Sequence, residues 1–219
     1  MAFVFLPIMS ISGQSTFHDV IKTHNSESFV VDYDASNAYR RQPLVYHYSK
    51  SIPTNWQLTI QNNLTYFNSE DAKTVVKIQE PAPSEKFIEL TMFSEKTGRF
   101  SVAINTNESG YIRVYEREQD GWSRDQPIFV AHANNQGLTI TNGKRIIIDK
   151  LSVNDFIVGS ISVYGKDVVN DPDNSNGGTI AFDILYGNPA ESPLYYMPLI
   201  TIIIIGTIVL VLLIRKKRD

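Results

Sequence analysis

The chain has 219 residues and no cysteine, so disulfides, thiolate metal centres and cysteine nucleophiles are excluded. It carries 20 Lys and Arg against 23 Asp and Glu, a formal charge of −3. Four of those bases and one of the acids stand in the last five residues, which leaves 16 bases against 22 acids, or −6, elsewhere and no basic stripe for a nucleic acid.

Residues 1–15 open with MAFVFLPIMSIS and end in Gly13-Gln14-Ser15. They read as the apolar region and small-residue cleavage site of a secretory signal peptide, without the usual basic start. Export and the lack of disulfides together lean towards a bacterial or archaeal envelope, where a sufficient core replaces covalent staples.

Residues 16–186 read as one extracytoplasmic β domain. Runs of β-branched, aromatic and alternating residues recur at Phe29–Tyr33, Leu44–Tyr48, Trp56–Gln61, Thr74–Gln79, Phe87–Phe93, Arg99–Asn105 and Tyr111–Glu116. Further runs follow at Ile128–Ala131, Leu138–Thr141, Arg145–Asp149, Val158–Tyr164 and Thr179–Tyr186. In several of them apolar and polar positions alternate, as half-buried strands require. Turn residues separate the runs, and Asn142-Gly143 predicts a tight hairpin in which both central residues have positive φ. Glu80–Glu85 (EPAPSE) contains two prolines and is expected to be a crossover between sheets. The fold class is therefore all-β: an antiparallel β-sandwich, jelly-roll-like, followed by one C-terminal transmembrane α-helix.

The sandwich offers few groups with chemical promise. Trp122 follows the Asp120-Gly121 turn in a polar loop and is the candidate contact for a sugar or protein partner; the alternative is that it folds back and caps the sandwich. Asn63-Leu64-Thr65 and Asn107-Glu108-Ser109 match the glycosylation sequon, with Asn63 and Asn107 as acceptors. The segment around Asp171, Asp173 and Ser175 gathers oxygen ligands in a turn and is the candidate Ca²⁺ loop; it lacks the bidentate Glu of an EF-hand, and a plain turn has the same composition. No other cofactor is expected. His18, His24 and His47 show no ligand spacing, and Glu116 and Glu118 beside Arg117 read as a solvated strand end. No nucleophile motif or phosphate loop occurs, so the expectation is a protein that is not an enzyme.

Residues 187–193 form a stalk that extends to at most about 24 Å. Residues 194–214 then run without a charge, long enough for a hydrocarbon core of roughly 30 Å. Tyr195 and Tyr196 suit the outer headgroup layer, and the basic tail at 215–219, with Arg215, Lys216, Lys217 and Arg218, marks the cytoplasmic side. Lys216 and Lys217 also resemble a dilysine retrieval signal, though a stop-transfer cluster explains them as well. The expected protein is single-pass, with its N-terminal domain outside. Its partners are the lipid bilayer and an envelope protein or glycan held close to the membrane. The alternative is an accessory subunit of a multi-subunit membrane complex.

Overall fold

A computed structural model describes residues 25–32, 43–66, 72–134, 136–166 and 176–187. They lie within one compact unit, Thr23–Gly187. The signal-peptide, Ca²⁺-loop, stalk, transmembrane and tail expectations fall outside the described residues. Among the described residues no helix is long and apolar enough to cross a membrane.

The strands are β1 (Asn25–Asp32), β2 (Leu44–Ile52), β3 (Trp56–Asn62), β4 (Thr65–Tyr66), β5 (Lys73–Gln79), β6 (Phe87–Phe93) and β7 (Phe100–Thr106). They continue as β8 (Gly110–Arg117), β9 (Ile128–Ala133), β10 (Gly137–Thr141), β11 (Ile146–Leu151), β12 (Val158–Lys166), β13 (Asn176–Gly177) and β14 (Thr179–Tyr186). The first sheet has the order β1-β14-β3-β9-β10-β11 and the second β2-β12-β5-β6-β7-β8, with β4 and β13 as a small separate pair. Every described pairing is antiparallel. The expected two-sheet sandwich is present.

Alternation decides the faces. From the first sheet, Leu58, Ile60, Val130, Ile140, Phe182 and Ile184 enter the core. From the second, Val76, Ile78, Ile88, Leu90, Val102 and Ile161 meet them. Such interdigitation across a spacing of about 10 Å is what holds aligned sandwiches together. On one side the sandwich is closed by aromatic rings: Phe29 of β1 stacks on Tyr46 of β2 at 4.1 Å and on Phe182 of β14 at 4.6 Å. The β1–β14 ladder runs in register from Asn25 opposite Tyr186 to Asp32 opposite Thr179.

Two turn expectations are corrected. Asn142-Gly143 does not make a two-residue hairpin. Gly143 has φ +82 and Asn142 is not among the positive-φ residues. Asn142 is buried, its side-chain Oδ1 accepts from the N–H groups of Lys144 and Arg145, and its Nδ2 donates to the Gly121 carbonyl. The turn is shifted by one residue: the Asn142 N–H donates to the Arg145 carbonyl at 3.2 Å, which leaves Gly143-Lys144 at the centre, and the asparagine side chain caps the same turn. Glu80–Glu85 is no crossover either, because β5 and β6 are adjacent and paired from Lys73–Phe93 to Gln79–Phe87. The prolines sit in the loop of a hairpin, where no ladder N–H is needed.

Tyr66 illustrates how polar groups survive in this core. Burial pushes its hydroxyl up to about 12, against the opposing effect of hydrogen bonds from its neighbours Thr74 and Asn62. Its oxygen accepts from Asn62 Nδ2 at 2.8 Å. A folded-state value above the unfolded 10 means that the folded protein holds the proton longer. Stability is then complete below pH 10 and lost as pH rises towards 12, by on the order of 2–3 kcal/mol from this group. Denaturant melts at pH 9 and pH 11.5 should show that loss, and Tyr66→Phe should reduce it. An unchanged pH slope in the variant would rule Tyr66 out as its source.

Candidate functional site on the outer face of the second sheet

The side chains that alternate with the core positions of β12, β5, β6, β7 and β8 share one outer face. The register sets them in rows. One row reads His47, Ser160, Gln79, Phe87, Asn105, Tyr111. The next reads Val45, Ser162, Lys77, Glu89, Ala103, Arg113. A third reads Tyr164, Val75, Thr91, Ser101, Glu116.

The centre of this face is a carboxylate held from two sides. Tyr111, from β8, donates its hydroxyl to Glu89 Oε1 at 3.1 Å. Tyr164, from β12, donates to Glu89 Oε2 at 3.3 Å. The intervening residues permit this, since each ring must reach diagonally over a neighbouring strand. On the Tyr111 side the β7 residue beside Glu89 is Ala103, which is small; on the Tyr164 side the β5 residue beside the tyrosine is Val75. Ala103 and Val75 are each left 4% exposed although they belong to the outer face.

The two phenols respond electrostatically. Burial first, then the Glu89 charge and its hydrogen bond, push Tyr164 up to about 12. The same causes, in the same order, raise Tyr111. Both therefore remain donors at neutral pH, and Glu89 keeps lone pairs free to accept further hydrogens. Lys77 Nζ lies 3.8 Å from the Phe87 ring centroid, and Phe87 is 6.1 Å from Tyr111. Such contacts order the aromatic side of the platform. Tyr111 itself remains 55% exposed.

The other carboxylate on the face is differently placed. Glu116 accepts from Arg99 at 2.6 Å and from Arg113 at 2.7 Å. The Arg99 hydrogen bond, followed by that of Arg113, lowers its pKa. Glu118 pairs with Arg99 at 3.2 Å. The expected strand end beside Arg117 is instead an ion-pair cluster with Arg99 and Arg113, while Arg117 donates to the Gln119 carbonyl.

Of the residues named from the sequence, His47 and Glu116 lie on this face, and Trp122 does not. Trp122 is 5% exposed, its indole N–H donates to the Phe93 carbonyl at 2.8 Å, and its ring lies 5.7 Å from Tyr66. Of the two roles open to Trp122, its burial excludes the ligand contact and supports the alternative, a residue folded back into the core. The loop before it is drawn in because Gly121 packs on Phe100, whose Cβ would lie 2.6 Å from any added methyl. Asn63 and Asn107 are both exposed, Asn63 after β3 and Asn107 in the β7–β8 turn. His47 is exposed in β2, whereas His132 is buried, with Nδ1 2.7 Å from the Thr54 carbonyl and Nε2 2.8 Å from that of Val153. Asp171, Asp173 and Ser175 lie outside the described residues, as do Tyr195, Tyr196, Arg215, Lys216, Lys217 and Arg218. Among the described residues no group of three His, Cys, Asp or Glu could hold a metal.

No protein-family model matches the chain, and no curated protein matches its sequence. Solved structures give distant likenesses. A carbohydrate-binding module (CBM66) from Bacillus subtilis aligns at 10% identity over 62% of this chain and 82% of that one, with a TM-score of 0.37. A native glycosidic hydrolase aligns at 9% identity over 78% and 83%, with a TM-score of 0.45. A β-1,3-1,4-glucanase from a mouse hindgut metagenome aligns at 10% identity over 75% and 79%, with a TM-score of 0.39. At these TM-scores none of them assigns a ligand or a site to this chain.

Proposed function

We propose that the chain is a membrane-anchored, extracytoplasmic binding module that holds a glycan on the outer face of its second sheet. The Tyr164–Glu89–Tyr111 arrangement carries this reading. It offers a carboxylate fixed in place by two phenols, next to exposed ring surface, on a face whose central positions are small and polar. Sugar hydroxyls need fixed acceptors and donors, and the hydrogen-rich face of a sugar ring packs on aromatic surface. A protein partner would call for a more apolar centre than Ser162, Lys77, Glu89 and Arg113 provide. Binding is favoured over catalysis because Glu116 is engaged by two guanidinium groups, which leaves Glu89 without a second carboxylate free to share acid and base roles. The anchor reading rests on the uncharged 194–214 run and the basic residues after it.

The test is retention of the full-length chain on immobilised cell-envelope polysaccharides. Glu89→Ala and Tyr111→Ala are each expected to weaken binding at least about tenfold, roughly 1.4 kcal/mol, while circular dichroism stays native. Native-like retention by both variants would overturn the assignment of this face. Release of the chain from membranes by alkaline carbonate would overturn the anchor.

A further inference from the structure

A second concavity is built from side chains that the sheet-face site does not use. Where the β9–β10 turn meets the end of β11 and the 152–157 segment, a cleft of about 420 Å³ is lined by Asn134, Gln136, Lys150, Ser152, Asn154 and Asp155, with buried His132 also in its wall. Small-molecule sites typically occupy about 300–1,000 Å³.

The backbone of this cleft is fixed from the inside. The Val153 carbonyl is 2.8 Å from His132 Nε2, and the Phe156 carbonyl accepts from the Trp56 indole N–H at 3.0 Å. Lys86 Nζ donates to the carbonyls of Asn154 at 3.5 Å and Asp155 at 3.4 Å. The Ile157 N–H donates to Glu80 Oε1 at 3.2 Å. Lys150 and Asp155 have φ of +50° and +22°, conformations that side-chain-bearing residues keep only where their surroundings impose them. The side chains are the opposite case. The polar side-chain atoms of Gln136, Lys150, Ser152 and Asn154 have no hydrogen-bond partner among the described residues. A fixed backbone thus presents solvent-exposed donors and acceptors to a concave space.

The lining also selects the chemistry. It contains one base and one acid, so it carries no net field for an anion or a cation. A hard cation would want six to eight oxygens, and an anion would want converging bases. The amides of Asn134, Gln136 and Asn154 each place a donor beside an acceptor, which matches hydroxyl groups that both donate and accept. The His132 ring in the wall is buried, with both nitrogens beside backbone carbonyls, so it offers no exposed face for stacking. We propose that this cleft binds one neutral sugar residue through its hydroxyls, at a site separate from the outer face of the second sheet.

The experiment is saturation-transfer NMR on the full-length chain, kept in a detergent without a sugar headgroup. Neutral hexoses, a pentose and an N-acetylhexosamine are the ligands, and inorganic phosphate and tetramethylammonium are the competitors. The proposal expects saturable transfer to at least one sugar, at least tenfold weaker in the Asn134→Ala, Asn154→Ala double variant and in Ser152→Leu, which fills the cleft from an exposed position. Lys50→Ala, on exposed β2, should bind as the native chain does, and all variants should melt like it. The proposal falls if no sugar shows saturable transfer, if phosphate or tetramethylammonium displaces the sugar, or if folded cleft variants bind normally. It falls equally if Tyr111→Ala abolishes transfer while the cleft variants retain it, since the sugar would then sit on the sheet face.

Discussion

Replacing Trp56 by alanine should destabilise the domain by about 3–5 kcal/mol, the largest single-residue effect expected here. Trp56 is fully buried at the start of β3, its ring 6.2 Å from His132 and 6.0 Å from Phe156. Its indole N–H also supplies the hydrogen bond that the Phe156 carbonyl needs. Alanine removes both the packing and the donor, leaving a void and an unpaired carbonyl. For a domain of this size each kcal/mol lowers Tm by roughly 2–4 °C, so a fall of about 6–20 °C should appear in a thermal melt. Trp56→Phe separates the two contributions, since it keeps most of the ring and loses only the donor, for a smaller cost of about 1–3 kcal/mol. A shift below about 3 °C for the alanine variant would show that Trp56 does not hold this end of the sandwich.

The second large effect is expected at Gly137. The residue has φ +77, and an added Cβ would lie 2.3 Å from the Leu151 carbonyl oxygen. Gly137→Ala therefore meets two penalties: a left-handed backbone, about 1–2 kcal/mol, and a clash with main chain that cannot rotate away. The sum is expected to reach at least about 3 kcal/mol, within the range of the severest point mutations. Gly110 gives the internal comparison, because its φ is +64 and an added Cβ there meets nothing within 4 Å. Gly110→Ala should carry the conformational penalty alone. Equal midpoints for the two variants in urea would refute the contact argument while sparing the conformational one.

The long strands were legible in the sequence because alternation reports which side chains enter a core. FIELTMF alternates Ile88, Leu90 and Met92, which enter the core, with Glu89 and Thr91, which lie on the outer face, although Thr91 is covered there. Register was not legible. Nothing local in FIELTMF says that Tyr111, 22 residues later, and Tyr164, 75 residues later, will both reach Glu89. Only the pairing of β6 with β7 and β7 with β8, and of β6 with β5 and β5 with β12, puts them there. The two-residue strands β4 and β13 were missed because two residues show no period.

Trp122, left open between ligand contact and core cap, and Asn142 escape a local reading for a shared reason. Each was read from its immediate neighbours, polar residues for Trp122 and a following glycine for Asn142. Each is instead claimed by distant backbone: Trp122 by the Phe93 carbonyl and Asn142 by the Gly121 carbonyl. A tertiary hydrogen bond of this kind leaves no trace in composition. EPAPSE shows the complementary limit, because prolines end a strand without saying whether the chain then changes sheet.

The β1–β14 register has a mechanical consequence. Asn25 faces Tyr186, so the chain enters and leaves the sandwich at one corner. A load applied between those two ends would peel the ladder open one rung at a time, which takes little force. A load that enters through Gly187 and leaves through the second sheet is instead passed on by β14, which is bonded on both flanks, to β1 and to β3. Both ladders must then rupture together in shear. Under the proposed anchoring beyond Gly187, the domain would withstand a pull on its second sheet better than a pull on its own N-terminal end.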